Sequence, residues 1–533
     1  MRIVFPLVAL FLAFNLTSTT KDRQMQDSAS LIDRPAQTTS NAEAFRELTE
    51  KLRKECRWAN AEIEYQQKIR QQPRNALWLG AQSFILGNQD KWEEAEAVSR
   101  RAIRLEPEEA SWHSRLGVSL TNQEKFDEAV AAYQQALSLE TNSTQQFVYR
   151  GQILRSQEKW SEAEDAFRQA LSTEPDNAGW HNLLGIALRR QKKLNEAEQH
   201  YKEAIKLDSC NAIYSFNLGN LYFDRNQPAK AETEYRKAIQ VAPDHALCHK
   251  NLGVFLLNQN RLAEAEVELR RAVSLRPARA PYRAELGALL DKAEKSWDSV
   301  AEYRKAVQLR PDRADFHSSL GVLLTTVKKY AEAEEHCRAA VQIKPGDASY
   351  HYNLGFVYYD QGKYTKAEPE LQRAVELNPD DTLHQYALGN VRLKLRKYQD
   401  AEPHLREAVQ REPNNAEYNA SLGHALYEQK AYPEAEEKFR KASRIEPNKA
   451  SHHHDLGLAL HFQNKLIPAI ESYSRVLDID SKYSRLIDIY YNRGLCYAHI
   501  GQCQQAIEDF NKVLRKNPNH EGALQGRRLC LGR

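Results

Sequence analysis

No two cysteines in this 533-residue chain are spaced as CxxC, and the seven present (Cys56, Cys210, Cys248, Cys337, Cys496, Cys503 and Cys530) are scattered and odd in number. That argues against a disulfide scaffold and against a zinc site, and the thiols read as small buried or free groups. Glycine and proline are few for the length, at 21 and 19 residues, which suits a chain made mostly of amphipathic helices. An excess of one charge is also missing. The 75 basic and 72 acidic side chains leave a net charge of +3, so no global field draws the protein onto a phosphate backbone and nucleic acid is not an expected partner.

The apolar run from Ile3 to Phe14, broken by Pro6, is too short to span a bilayer. With Arg2 before it and Thr17, Ser18, Thr19 and Thr20 after it, residues 1–16 have the layout of a signal peptide, although a strict A-x-A cleavage site is lacking. This favours a secretory or extracytoplasmic location. The alternatives are an uncleaved N-terminal anchor, the one expected tie to a membrane, and a cytoplasmic chain. The sequence also lacks a phosphate-cradling glycine loop, a G-x-S-x-G elbow, an H-E-x-x-H motif and any paired-carboxylate signature. No enzymatic activity, cofactor, metal or small-molecule substrate is therefore expected.

What the chain does have is self-similarity. Residues 17–41 are polar and read as a disordered linker, and beyond them eleven glycines from Gly117 to Gly457 follow one another at intervals of 34 residues. The same register defines twelve repeats over 76–483, starting at 76, 110, 144, 178, 212, 246, 280, 314, 348, 382, 416 and 450. A thirteenth occupies 487–520 after a three-residue insertion near Ser484 to Leu486, which should lengthen one turn. The twentieth place is alanine in twelve of the thirteen, with Ser299 as the exception, and the thirty-second is proline in ten. In the repeat at Ala348, apolar residues recur at helical spacing through Leu354, Phe356 and Tyr358, stop at Asp360, and resume through Ala367, Leu371 and Ala374. This predicts two helices, with Gly355 and Ala367 permitting close approach, Leu371 filling the groove, and Pro379 ending the pair. One pair leaves a face uncovered, and stacking thirteen buries a continuous core.

These residues resemble the tetratricopeptide repeat family, whose Leu-Gly pair, small residue, aromatic or leucine, and closing proline recur almost repeat for repeat. The resemblance implies an all-α, right-handed superhelical solenoid of about 13 helix-turn-helix pairs. Residues 42–75 read as a degenerate capping repeat in which Trp58, Ala61, Tyr65 and Pro73 keep register, and 521–533 as a partial capping helix.

Histidine fills the fourth place of six repeats, at His113, His181, His249, His317, His351 and His453. Rings one repeat apart are too distant to share a metal, so packing at the repeat junction is expected. The triplet His452, His453 and His454 points in different directions on a helix and cannot converge on one ion. Glutamate-rich stretches such as AEAEEH read as exposed faces with i,i+4 partners.

In the family, the second, fifth, sixth, ninth and twelfth residues of the first helix line the concave surface. The clamp by which some members hold acidic tails is not assembled: Lys250 and Asn251 occupy the fifth and sixth places, but Val254, Ala284 and Glu285 break the pattern. The texture is closer to the superhelical arm of O-linked N-acetylglucosamine transferases, where sixth-place asparagines hold extended peptides, without the catalytic domain. Asn217, Asn251, Asn353 and Asn492 match that ladder, and Lys250 and the ninth-place Asn220 complete the candidate peptide-binding set. The resemblance implies a scaffold for proteins or extended peptides. The alternatives are a chaperone-like holdase in a secretory or periplasmic compartment, or a recognition arm split from a transferase-like enzyme.

Overall fold

A computed structural model describes residues 58–532. The signal-like segment, the linker and the start of the proposed capping repeat lie outside the described residues. Among those described there are helices and turns and no strand: thirteen helix pairs from Ala76 to Lys516, preceded by the helix Trp58–Gln71 and followed by the helix Glu521–Leu531. The chain divides into two compact units, one ending at Leu309 and the other starting at Arg310.

Each pair is built from the same local chemistry. The first helix is 13 residues long in most repeats, and in seven repeats an Asn or Asp just before it caps the exposed amides: Asn75, Asn142, Asn177, Asn211, Asp347, Asp381 and Asn415. The turn to the second helix passes through one left-handed residue, a glycine only at Gly362 and Gly501 and otherwise a polar residue such as Glu158 or Asn226. Close approach of the two helices explains the 34-residue glycine period. A Cβ on Gly355 would stand 2.7 Å from Leu371 Cγ and 3.4 Å from the Ala367 carbonyl oxygen, and a Cβ on Gly117 would stand 2.7 Å from the Tyr133 ring. The twentieth-place alanines are fully buried, and Cys337 takes the buried place that tyrosine, phenylalanine or leucine fills in the other repeats except the first, where it is Ser99.

The three-residue insertion divides between a turn and a helix. Six residues separate Ile479 from Leu486, where four separate Leu105 from Ala110, and the helix Leu486–His499 has 14 residues. At the N-terminal end Ala61 and Tyr65 are fully buried, Tyr65 meeting the Trp78 ring edge-on at 5.9 Å. At the other end Ala523 and Cys530 pack into the core around Phe510, leaving Leu529 and Leu531 exposed.

Two expectations need correction. Cys210 is disulfide-bonded, so the cysteines are not all free thiols. The glutamates at the start of the second helices are not simply exposed: Glu164 is buried to 2%, and besides its i,i+4 partner Arg168 it holds Lys193 of the next repeat at 2.8 Å. The same bridge between neighbours recurs as Glu96 to Lys125, Glu232 to Arg261, Glu266 to Lys295, Glu368 to Lys397 and Glu436 to Lys465. Burial raises the pKa of such a carboxylate, but hydrogen bonds outweigh it; at Glu198 those from Lys202, Tyr222 and Arg225 bring the pKa down to about 2.

Within the first unit the chain also meets itself far along the sequence. The turn after the first helix of the repeat at 76 lodges against the junction between the repeats at 246 and 280. Tyr282 donates its hydroxyl to Asp90 Oδ2 at 2.5 Å, Arg276 donates to the Gln89 and Asp90 carbonyls, and Arg279 reaches Glu93 at 3.1 Å and the Asn122 carbonyl at 2.9 Å.

Candidate functional site

Consecutive first helices touch one another within each unit, for example Ala178–Arg190 with Ala212–Asp224 and Ala348–Asp360 with Thr382–Lys394, and so lie on the inside of the stack. Their inward side chains form the candidate site.

The sixth-place asparagines do not stand alone. Asn217, fully buried, donates its Nδ2 hydrogen to Asn182 Oδ1 of the preceding repeat at 2.8 Å. Asn353 donates in the same way to Ser318 Oγ at 2.8 Å. Asn251 turns back to the Leu247 carbonyl of its own helix at 2.9 Å, and Asn220 Oδ1 accepts from the Tyr235 hydroxyl at 2.8 Å. Lys250 is buried at 2% exposure beside them, and Asn492 is half-buried. Asn217, Asn220, Lys250 and Asn251 thus come together on adjacent helices, whereas Asn353 and Asn492 belong to the second unit.

The residue that the sequence reading passed over is Asn182, which sits at the fifth place while the sixth is Leu183. Once Asn217 has donated to it, Asn182 Nδ2 is a donor without a hydrogen-bond partner and Asn217 Oδ1 an acceptor without one, both fully buried. Buried polar atoms are rarely left so, and a donor beside an acceptor matches the C=O and N–H that one residue of an extended chain turns to the same side. The two preceding repeats extend the feature: Ser114 Oγ and Gln152 Oε1, also buried on first helices, lack partners as well. Four successive repeats therefore carry buried, unsatisfied polar atoms on their first helices. A scan for polar residues at the fifth and ninth places, besides the sixth, finds all four.

The fourth-place histidines have the junction role expected of them. In all six the Nε2 hydrogen is donated to the carbonyl of the proline that closes the previous repeat, at 2.8–3.2 Å. Arg283, Gln385 and Asn419 make the same bond in their repeats. In four of them the other ring nitrogen meets the second helix: His249 and His351 face Glu268 and Glu370, while His181 and His317 face His200 and His336 at 2.9 and 3.1 Å. Because the carbonyl of Pro175 can only accept, His181 carries its proton on Nε2, and its Nδ1 accepts from His200. The triplet rings have separate partners, Glu446 for His452, the Pro447 carbonyl for His453 and Tyr483 for His454. Among the described residues no three His, Cys, Asp or Glu side chains could hold a metal ion together, and no helix is long and apolar enough to cross a membrane.

Burial, and then the neighbouring His181, push the pKa of His200 down to about 4, against about 6.5 in an unfolded chain. Between those values the unfolded state binds more protons, so the stability this pair contributes is present above pH 6.5 and lost as the pH falls towards 4. Thermal denaturation at pH 7 and pH 5 should show a smaller loss for His200→Gln than for the wild type, because glutamine stays neutral and still donates to His181. An equal loss in both would exclude this pair as a source of acid sensitivity.

Comparison with known proteins agrees with the geometry. Family models described as tetratricopeptide repeat match residues 85–145, 150–212, 216–283, 285–348 and 386–450, and others of the same description match 324–391 and 487–520. No curated protein is similar to the chain by sequence. Among solved structures, the APC/C hetero-tetramer Cut9-Hcn1 is 14% identical, with 92% of this chain and 97% of that chain covered at a TM-score of 0.43. MamA 41-end from Desulfovibrio magneticus RS-1 is 21% identical, with 32% and 97% covered at a TM-score of 0.31. YrrB, described as a TPR protein with an unusual peptide-binding site, is 24% identical, with 35% and 96% covered at a TM-score of 0.31.

Proposed function

Since the chain belongs to the tetratricopeptide repeat family, whose stacked helix pairs serve as protein-interaction scaffolds, we propose that it holds extended polypeptide segments along the first helices of its first unit. The observation that carries this reading is the Asn182 and Asn217 pair, a buried free donor beside a buried free acceptor. Both atoms are closed to solvent, so an extended chain reaches them only when the facing side chains move aside; the C=O and N–H of one of its residues then satisfy both, whatever the side chain, and Ser114 and Gln152 lie in the two preceding repeats. Affinity then comes from many modest hydrogen bonds. The disulfide at Cys210 supports work in an oxidising compartment. The function proposed is binding.

The test uses the full chain and a fluorescently labelled, carboxymethylated polypeptide that cannot fold. Asn182→Ala combined with Asn217→Ala removes two hydrogen bonds to the ligand, which at about 1 kcal/mol each weakens binding roughly thirtyfold. Thermal denaturation checks that the fold is retained. Unchanged binding by a folded double variant would overturn the reading, and broad capture indifferent to these asparagines would favour a holdase.

A further inference from the structure

The long-range contact in the first unit differs from every junction around it. Left-handed residues in most other turns, such as Glu158, Lys192, Asn226 and Asn260, are exposed, whereas Asp90 is buried, with 3% exposure. Its carboxylate accepts from Trp92 Nε1 at 2.7 Å and from the Tyr282 hydroxyl at 2.5 Å, and its charge is felt by Arg279, His245 and Cys248. Trp92, 4% exposed, packs against Ile213 and Val118. Ile213 shares a helix with Asn217, and Val118 shares one with Ser114. Through Trp92 the turn at 89–93 therefore sits on two of the four helices that carry the unsatisfied polar atoms.

We propose that this contact is a reversible clasp that closes the first unit and gates access of extended chains to the first-helix polar track. The inference rests on the peptide-holding reading for what is gated, but not for the clasp itself. Two features suit opening. The contact is confined to one turn, held by hydrogen bonds from Arg276, Arg279 and Tyr282 that water can replace, with Trp92 as its one large apolar side chain. It also joins two ends of a stack in which each pair otherwise leans on its neighbours, so small rotations summed over the intervening repeats separate the two sides without breaking any one junction.

The clasp contains its own reporter. Cys248 is a free thiol, 1% exposed, with its sulfur 3.6 Å from His245 Nδ1 and close to Asp90, whereas Cys337 is a free thiol locked between two helices of the second unit. The full chain would be alkylated with N-ethylmaleimide and each cysteine followed by peptide mass spectrometry. Asp90→Ala should speed modification of Cys248 by about tenfold or more and leave Cys337 unchanged. Tyr282→Phe, which removes one hydrogen bond and keeps the ring, should give a smaller rise in the same direction. In parallel, the association rate of the carboxymethylated polypeptide should rise in the order of the Cys248 rates.

The proposal is overturned if neither variant changes the Cys248 rate, or if Cys337 accelerates with it, which would mean general loosening. It is also overturned if Cys248 becomes accessible while the association rate stays that of the wild type. Failure of all three proteins to bind the polypeptide would count against the peptide-holding reading instead, and the thiol rates would then decide the clasp alone.

Discussion

Gly253→Val is expected to cost about 3 kcal/mol or more and to lower the urea midpoint of the first unit. A Cβ at this position would stand 2.7 Å from Leu269 Cγ and 3.2 Å from the Ala265 carbonyl oxygen, and Leu269 and Ala265 are both fully buried. A leucine end can swing aside, but a backbone carbonyl in the facing helix cannot, so the two helices must separate. Separation in one pair also weakens its contacts with the pairs on either side, which is how a local clash spreads in a stacked array. Gly346→Ala is the control. A Cβ there meets nothing within 4 Å, and the change should stay within about 0.5 kcal/mol. Urea titration followed by circular dichroism compares the two, and equal midpoints would refute close packing as the reason for the glycine period.

Asp509→Ala should be equally damaging at the other end of the protein, for a different reason. Arg493 donates to both Asp509 oxygens, at 2.7 and 2.9 Å, and to Ser474 Oγ at 2.8 Å. Asp509 is 1% exposed and Arg493 is mostly buried, with Tyr490 and Tyr497 rings beside its guanidinium. Removing the carboxylate leaves a buried cation without its counter-charge, a loss of about 3–5 kcal/mol. Because the last pair has a neighbour pair on one side and a short helix on the other, the loss should stay local. Hydrogen exchange over 487–516 should accelerate at least a hundredfold while 416–462 keeps its protection. Replacing both partners, as Asp509→Leu with Arg493→Met, should recover much of the loss. Acceleration spread evenly through the second unit would contradict this picture.

The regular part of this architecture was readable from spacing, because it depends on neighbours at fixed sequence distance. Gly355 against Leu371, or Cys337 in place of an aromatic, follows from a 34-residue ruler and helical periodicity. The fourth-place histidines also fell into place, since their partner is always the proline six residues earlier. The bridges from Glu96 to Lys125 and from Glu164 to Lys193 were legible in principle, each spanning 29 residues, but the glutamates look like ordinary surface residues until the curvature buries them. Asn182 was hidden by a ladder rule that watched one place per repeat, although what matters is which side chains meet across adjacent helices. The contact of Asp90 with Tyr282 lay beyond any such rule. It depends on small rotations accumulated over five repeats, and nothing local to Arg276, Arg279 or Tyr282 marks them as its partners.

That same contact sets an order in time. The junctions between neighbouring pairs join residues close in sequence, and in a stacked array they can form wherever folding begins and spread outward. The hydrogen bond between Asp90 and Tyr282 joins residues 192 positions apart. Closing a coil of that length early is entropically costly, whereas closing it after the intervening pairs have stacked brings together ends that are already held near one another. Unit 1 is thus expected to stack its pairs before the Asp90 and Tyr282 contact closes. The hydrogen bond from Tyr282 to Asp90 is expected to be the last to form and the first to be lost.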